Sequence, residues 1–464
     1  MRETVQNVVR KYNNDQVRLM DILWEVRSQI GSLTDEAIDH IAGMLSMSKV
    51  DIEQTVASNH FFSKMQGGKY SVFLNNSVVA CMMGRDEIAT VFEKEVGVKF
   101  GEITSDGVIG LFDTTCFGMN DQEPAALING KIFTRISRAM VKEIVDNMKS
   151  GKPISEIAGR YRSGDGNNEA MGAMVYNNLR VRGPVLFSEY RSGTALRKII
   201  EMQPAQVIAE VKTSEIPGRG GAGSSLGMTW ESRVNENDPA KSVLCTADGS
   251  EPGTFHNRVI LTEIPERLFE GMAIAGYAIG ANNGILYLRS EYWYMFEYLQ
   301  KVLTDMRNER LLGNDILGKQ GFSFDIRIQM GAGDDVCGEE VETLCAAVRV
   351  IDKGGDWFKT IGTQESTGSK ALSISGDCPY PGVYEIEWGM TLRKMLEMVG
   401  ADLNNVQAVQ VGGKSGVLVP QTQFERKIAY EDVLTSGSMI VIGNHRDILK
   451  DIVMNFNEEF GDGG

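Results

Sequence analysis

Three loops carry most of the residues that could do chemistry. The first is PGRGGAGSSLGMTW, residues 217–230, with Gly218, Gly220, Gly221 and Gly223 set around Arg219 and Ala222. Glycines permit positive φ and a close backbone approach, and successive N–H groups can form a nest for an anion. The spacing matches neither GxxxxGK[ST] nor an unshifted GxGxxG, and a plain surface turn uses the same residues. The second loop is TADGSEPGTFHNR, residues 246–258. Its Asp248 and Glu251 could bind ribose hydroxyls or a nicotinamide amide, or form a solvated acidic turn. The third is QMGAGDDVCGEEVETL, residues 329–344, in which Gly331 and Gly333 end a strand and Gly338 lets backbone come close to a ligand. Glu339 and Glu340 follow. The acids from Asp334 to Glu342 make a patch that repels a phosphate, or simply a solvated face.

The elements that must hold these loops are legible from periodicity. Residues 1–68 carry apolar residues at three- and four-residue steps and read as a helical bundle, with Ser32 and Thr34 as caps for the third helix. Over 69–150 the order is β-α-β-β-β-α, that of a thioredoxin-like domain, with a hairpin turning at Asn129-Gly130. Residues 151–200 read as a linker that packs on the domain after it. Strands alternating with helices over 201–365 predict an α/β domain, including one long helix from Tyr292 onward. Residues 366–440 read as a compact β-grasp-like domain with one helix, and 441–464 as the start of a truncated helical region. The fold class is therefore α/β multidomain.

A chain of 464 residues is long enough for several cores. Its net charge of −15 argues against nucleic acid and anionic membrane surfaces. No apolar run reaches a membrane span and no secretory signal is visible, so the expected setting is cytoplasmic. Cys81, Cys116, Cys245, Cys337, Cys345 and Cys378 are scattered without a CxxC pair. Cys81 and Cys116 read as separate buried structural thiols. His40, His60, His256 and His445 show no ligand spacing, and no residue is assigned to a metal or to catalysis.

In combination, GRGGAG, ADGSEPGTFHNR, EGMAIAGYAIGA, LYLRSEY and GAGDDVCGEE resemble the NADH-oxidising flavoprotein subunit of respiratory NADH dehydrogenase. The preceding LNNSVVACMMG and GLFDTTCFGMNDQEPAALING resemble its small iron–sulfur companion. Both in one chain look like the diaphorase flavoprotein subunit of soluble NAD-reducing hydrogenases. The resemblance implies FMN on the Gly-rich loop, NAD(H) above it, and single electrons passed to iron–sulfur clusters, the flavin converting two-electron to one-electron transfer. It also implies partners among the other subunits of such a complex. The cofactor-binding positions it implies are Gly218, Arg219, Gly220, Gly221, Ala222, Gly223, Asp248, Glu251, Gly338, Glu339 and Glu340.

Against that pattern, the stacking aromatic falls at Ser224 and the lysine before Trp230 at Thr229. An Asn-Ala-Asp-Glu run falls at Thr246, Ala247, Asp248 and Gly249, and an Ala-Tyr pair at Asp334 and Asp335. A Pro-rich loop and an Asn-Asn pair that hold the flavin have no counterpart after Glu340. The four cluster cysteines of the thioredoxin-like unit fall at Asn75, Ala80, Cys116 and Asn120, with Cys81 one residue out of register. The sequence stops at Gly464, where the family's CxxCxxC cluster domain begins. The expectation is a homologue that keeps the fold, with weakened or lost FMN and NAD(H) sites, neither a [2Fe-2S] nor a [4Fe-4S] cluster, and a structural or docking role. An active NADH:acceptor oxidoreductase subunit is the alternative, and a nest kept for a different anion is a third reading.

Overall fold

The computed structural model describes the chain except residues 32, 63–67, 162–174, 219–224, 237–240, 248–251, 332–337, 414–415 and 457–464, and the side chains of Ser58 and His60. The first helices are α1 (Arg2–Lys11), α2 (Leu19–Ile30), α3 (Asp35–Leu45) and α4 (Lys49–Ser58). The apolar positions Val5, Val8, Ile22, Leu23, Val26, Ile38 and Ile41 meet in one buried cluster. Gly31 ends α2 at φ 85°, a left-handed position that glycine adopts without strain. Thr34 starts α3 by accepting the Ala37 N–H at 3.2 Å, and Ser48 caps α4 in the same way.

The next unit runs β1 (Tyr70–Asn75), α5 (Val78–Met82), α6 (Arg85–Val96), β2 (Ile109–Thr114), β3 (Ala126–Ile128), β4 (Lys131–Phe133) and α7 (Arg138–Lys149). Its sheet order is β2-β1-β3-β4, with β1 parallel to β2 and the other pairs antiparallel. Asn129 at φ 46° and Gly130 at φ 79° make the β3–β4 turn, as the Asn-Gly pair predicts. Alternation along β1 splits two cores. Tyr70, Val72 and Leu74 pack with Ile88, Phe92 and Ile144, while Phe73 joins the cluster built on α2.

After α8 (Ile154–Gly159) comes β5 (Leu179–Val181), then α9 (Thr194–Ile199), α10 (Pro204–Thr213) and α11 (Leu226–Asn235). A four-stranded sheet follows: β6 (Ser242–Ala247), α12 (His256–Glu263), α13 (Pro265–Ile279), β7 (Asn283–Arg289), α14 (Phe296–Asn308), β8 (Asp325–Gly331), β9 (Glu339–Glu340), α15 (Val341–Lys353) and α16 (Gly355–Lys359). Its order is β8-β7-β6-β9 and every pair is parallel. The helix expected from Tyr292 begins only at Phe296. Ser290–Met295 is a 3-10 turn, which buries Tyr292 and Tyr294 while Trp293 stacks on Trp24, with centroids 5.0 Å apart.

Helix α13 is buried on nearly all sides. A Cβ on Gly271 would lie 2.3 Å from the Leu344 carbonyl oxygen of α15. Gly271→Ala is therefore expected to push the two helices apart and destabilise the chain by about 1–3 kcal/mol in chemical denaturation. An unchanged midpoint would show that α15 yields freely.

The last strands are β10 (Ser369–Gly376), β11 (Gly382–Glu387), β12 (Val406–Val411), β13 (Val417–Pro420) and β14 (Ser438–Gly443), with α17 (Leu392–Met398) between β11 and β12. They form one mixed sheet in the order β13-β12-β14-β10-β11-β5, so the stretch 151–200 supplies its edge strand. The Glu385 carboxylate of β11 accepts three consecutive N–H groups, from Val185, Leu186 and Phe187, at 2.7–2.9 Å. That ties the incoming chain to this sheet. Ile448–Met454 closes the described chain as a π-helical turn capped by Asp447.

Candidate functional site

In a parallel sheet of order β8-β7-β6-β9 the chain runs outward from β6 to β8, then returns to the far side of β6. Such a switch point opens a crevice beyond the carboxyl ends of the strands, where open α/β sheets take ligands. Here it lies between β6 and β9. Cys245 pairs with Glu339 and Thr246 with Glu340, which brings the N-terminus of α15 level with the end of β6. The Gly-rich loop is pinned nearby in sequence. Pro217 and Ser225 form an antiparallel bridge, the Leu226 N–H donates to the Ile216 carbonyl at 3.0 Å, and α11 starts at once.

Of the sequence-predicted positions, Gly218, Gly338, Glu339 and Glu340 are placed by the structure. Arg219, Gly220, Gly221, Ala222, Gly223, Asp248 and Glu251 lie outside the described residues, as do Ser224, Gly249, Asp334, Asp335 and Cys337. Gly218 is buried. Gly338 lies against the protein's own backbone. A Cβ there would meet the Leu244 carbonyl oxygen of β6 at 2.8 Å. Thr229, at the lysine position, turns its hydroxyl back onto the Ser225 carbonyl of its own helix at 3.4 Å. Trp230 is buried in the core.

Sequence spacing left His256 alone, but the fold gives it three partners from distant elements. Its Nδ1 stands 3.2 Å from Ser373 Oγ on β10, and its Nε2 stands 3.6 Å from Glu342 Oε2 at the start of α15. Lys370 of β10 donates to the same Glu342 carboxylate, whose other oxygen accepts the Ala371 N–H at 2.8 Å. Burial pushes the His256 imidazole well below its ordinary range, and the neighbouring Lys370 ammonium adds to this. Burial also opposes the charge on Lys370, but the Glu342 carboxylate outweighs it and holds the ammonium above its usual range. The order Ser–His–Glu resembles a nucleophilic triad, yet the Ser373 hydroxyl is fully buried. It accepts the Phe255 and His256 N–H groups at 2.8 Å each. The network fixes α12 and α15 against β10.

The thioredoxin-like unit brings its own set together. Asn75 Nδ2 donates to Asn120 Oδ1 at 3.5 Å, Ser77 Oγ donates to the same oxygen at 3.0 Å, and the Ala80 N–H donates to Ser77 Oγ at 3.3 Å. Asn75 also bonds Glu123. The Cys116 sulfur accepts the Gly118 N–H at 3.3 Å. The Cys81 thiol is half-buried rather than buried, and donates to the Asn76 carbonyl at 3.6 Å. Among the described residues no group of three or more His, Cys, Asp or Glu is placed to hold a metal ion. The next residue after Asn120, Asp121, forms a fully buried ion pair with Arg258 of the GTFHNR motif at 2.9 Å, joining this unit to the parallel sheet.

A thioredoxin-like unit followed by a parallel α/β unit with a pinned glycine loop defines a two-part oxidoreductase class. Comparison with known proteins agrees. Residues 5–149 match the thioredoxin-like [2Fe-2S] ferredoxin family and residues 211–350 the Nuo51 FMN-binding domain. The NAD-reducing hydrogenase HoxS subunit alpha of Cupriavidus necator is 39% identical over 490 aligned positions, covering 97% of this chain and 81% of that protein. The NADP-reducing hydrogenase subunit HndC of Solidesulfovibrio fructosivorans is 34% identical over 296 positions, 54% of this chain and 60% of its own. A crystal structure of an NAD+-reducing [NiFe]-hydrogenase in the H2-reduced state aligns with a TM-score of 0.84 and 28% identity, over 96% of this chain and 80% of that one. The chain belongs to the family of fused diaphorase-type subunits of NAD-reducing hydrogenases. No helix among the described residues is long and apolar enough to cross a membrane.

Proposed function

We propose that this protein is a subunit of a hydrogenase- or NADH dehydrogenase-type complex that keeps the diaphorase fold with weakened or lost FMN, NAD(H) and iron–sulfur sites, and serves as a structural or docking subunit in the cytoplasm. The observation that carries this reading is the state of the cluster positions. Asn75, Ala80 and Asn120 are tied by hydrogen bonds through Ser77, and Cys116 is the single thiol of the four. A [2Fe-2S] centre needs four thiolate-type ligands, so these residues do not fit one. In this reading the domain limits are those read from the sequence, except that the β-grasp-like unit extends beyond 366–440: Leu179–Val181 adds its edge strand and its last strand runs on to Gly443.

FMN, when bound, supplies the conversion of a hydride into single electrons. The backbone around Gly218 could still approach a phosphate, but Thr229 gives its hydroxyl to Ser225 and offers no cation. The 490 aligned positions also exceed the 464 residues of this chain, so the HoxS relative carries segments without a counterpart here. A charge-assisted hydrogen bond contributes about 1.5–3 kcal/mol and an aromatic stack about 0.5–1.5 kcal/mol. Losing the lysine, the ring and the amide contacts weakens binding on the order of 5–10 kcal/mol, enough to move a nanomolar site toward millimolar.

Titration of the purified chain with FMN tests this. Flavin fluorescence and the visible spectrum are expected to show no stoichiometric binding at micromolar concentration. Stoichiometric binding would overturn the proposal, and NADH-dependent reduction of benzyl viologen would then establish the alternative, an active NADH:acceptor oxidoreductase subunit.

A further inference from the structure

A cavity of about 280 Å³ lies away from the Gly-rich loop, where α2, the first strand of the thioredoxin-like sheet and the 3-10 turn after β7 meet. Its buried floor is Trp24, Phe61, Ser71, Phe73 and Leu127, and its exposed rim includes Ser28, Gly31, Lys69 and Asn129. One wall is aromatic. Trp24 and Trp293 stack at 5.0 Å with an interplanar angle of 11°, and Phe61 packs on Trp24 at 5.5 Å. Arg27 also lines the cavity, with its guanidinium 5.8 Å from the Trp24 ring centroid.

We propose that this cavity binds a small organic anion with a flat apolar body, its acidic group on Arg27 and its body against the Trp24–Trp293 wall. Three observations support the assignment. First, Arg27 has no ion pair or hydrogen bond among the described residues, although its side chain is half-buried. Burial pushes its pKa down to about 10, and it remains charged at neutral pH. A partly buried charge without a counter-ion is costly, so an anion brought to it is favoured.

Second, the acids on the surrounding elements are committed elsewhere. Asp21 bonds Arg18 and the Met330 N–H, Glu25 bonds Lys11, Tyr12 and Gln29, and Glu291 bonds Arg289 and Thr115. Strands β1 and β3, which form the opposite wall, carry no acid. Lys69 at the rim adds a second cation whose ammonium donates only to the Gly151 carbonyl among the described residues.

Third, the wall is rigid and presents ring edges: Trp293 is sandwiched between Trp24 at 5.0 Å and Phe296 at 4.8 Å, and Trp24 also packs on Phe61 and Phe62. An aromatic body set edge-to-face against it gains attraction beyond its area burial. The volume lies just below the usual range of ligand pockets, about 300–1,000 Å³, which selects a single-ring compound. Trp24 and Phe73 belong to the ferredoxin-type match and Trp293 to the FMN-domain match. A bound anion would therefore clamp the two units.

Isothermal titration of the full chain, without added FMN, tests the proposal with benzoate, phenyl phosphate, benzamide and inorganic phosphate as separate probes. Benzoate or phenyl phosphate is expected to saturate one site per chain below about 1 mM, and the tighter of the two identifies a carboxylate or a phosphate source. Benzamide and inorganic phosphate are expected to bind at least tenfold more weakly, because each lacks one half of the chemistry. Arg27→Met should cost at least tenfold and Arg27→Lys should restore part of it. Absence of saturable binding by both aromatic anions, equal binding of benzamide, or an unchanged affinity in Arg27→Met would overturn the site. The probe comparison on the unmodified chain decides the matter if the variants fail to fold. A negative result here leaves the reading of the flavin and cluster sites untouched, since no cofactor takes part.

Discussion

Asp121→Ala is expected to destabilise the chain by about 3–5 kcal/mol and to uncouple the thioredoxin-like unit from the parallel sheet. Asp121 and Arg258 are both fully buried and 2.9 Å apart. Asp121 also accepts from Asn178 at 2.6 Å and from Gln122 at 3.2 Å. Removing the carboxylate leaves the Arg258 guanidinium inside the protein with the Tyr176 carbonyl and the Asn177 side chain as its acceptors. The penalty is that of an uncompensated buried charge, far above the roughly 0–1 kcal/mol typical of an exposed pair. Asp121→Asn keeps the volume and part of the hydrogen bonding, and should lose less. Urea unfolding followed by circular dichroism should show an early transition for roughly the first third of the chain in the alanine variant. A loss below about 1 kcal/mol, with a single transition retained, would mean that the apolar contact between the units suffices without the pair.

The second large effect belongs to the cluster that the fold assembles around His256. Lys370→Met leaves the Glu342 carboxylate buried beside the imidazole, and Glu342→Gln leaves the Lys370 ammonium buried without its counter-ion. Each is expected to cost about 3–5 kcal/mol. The double variant should recover most of the loss. The carbonyl oxygen of the introduced glutamine can still accept the Ala371 N–H that Glu342 takes at 2.8 Å. A double-mutant cycle reads this as a coupling energy of about 2 kcal/mol or more, and additive single losses would contradict it.

A pH signature accompanies the pair. The folded-state pKa of His256 lies well below the ordinary value of 6.5, so the unfolded chain binds the proton more readily. Stability is therefore full above pH 6.5 and falls as pH drops from there toward the folded value. Lys370→Met removes one of the two causes of that depression. The acid limb of its stability curve should be shallower than that of the unmodified chain.

Much of this molecule is local and legible in the residues. Three- and four-residue periodicity marks α1 to α4 because one helix face must be apolar to enter a core. Asn129-Gly130 marks a hairpin because both residues accept positive φ. The Gly-rich loop marks a place where backbone is bare. The helix start at Phe296 escapes such a reading, because a run of aromatic residues looks helical while Tyr292, Trp293 and Tyr294 must reach different neighbours. Gly338 reads as a place of close backbone approach, and the fold sets it against β6.

The pairings lie beyond local reading for one physical reason. A buried charge reports its burial only through partners that the chain brings from elsewhere. Asp121 and Arg258 stand 137 residues apart, and His256 and Ser373 117 apart. The two-residue strand β9 exists only because β6 is there to pair with it. Arg27 looks like any charge on an amphipathic helix until Trp24, Trp293 and the thioredoxin-like sheet close around it. Residue types and their spacing are enough to mark the two family units and their order. Packing settles which charges are compensated, which glycines serve close contact, and which elements surround Arg27. Those properties depend on distance and dielectric, which are set when the elements come together.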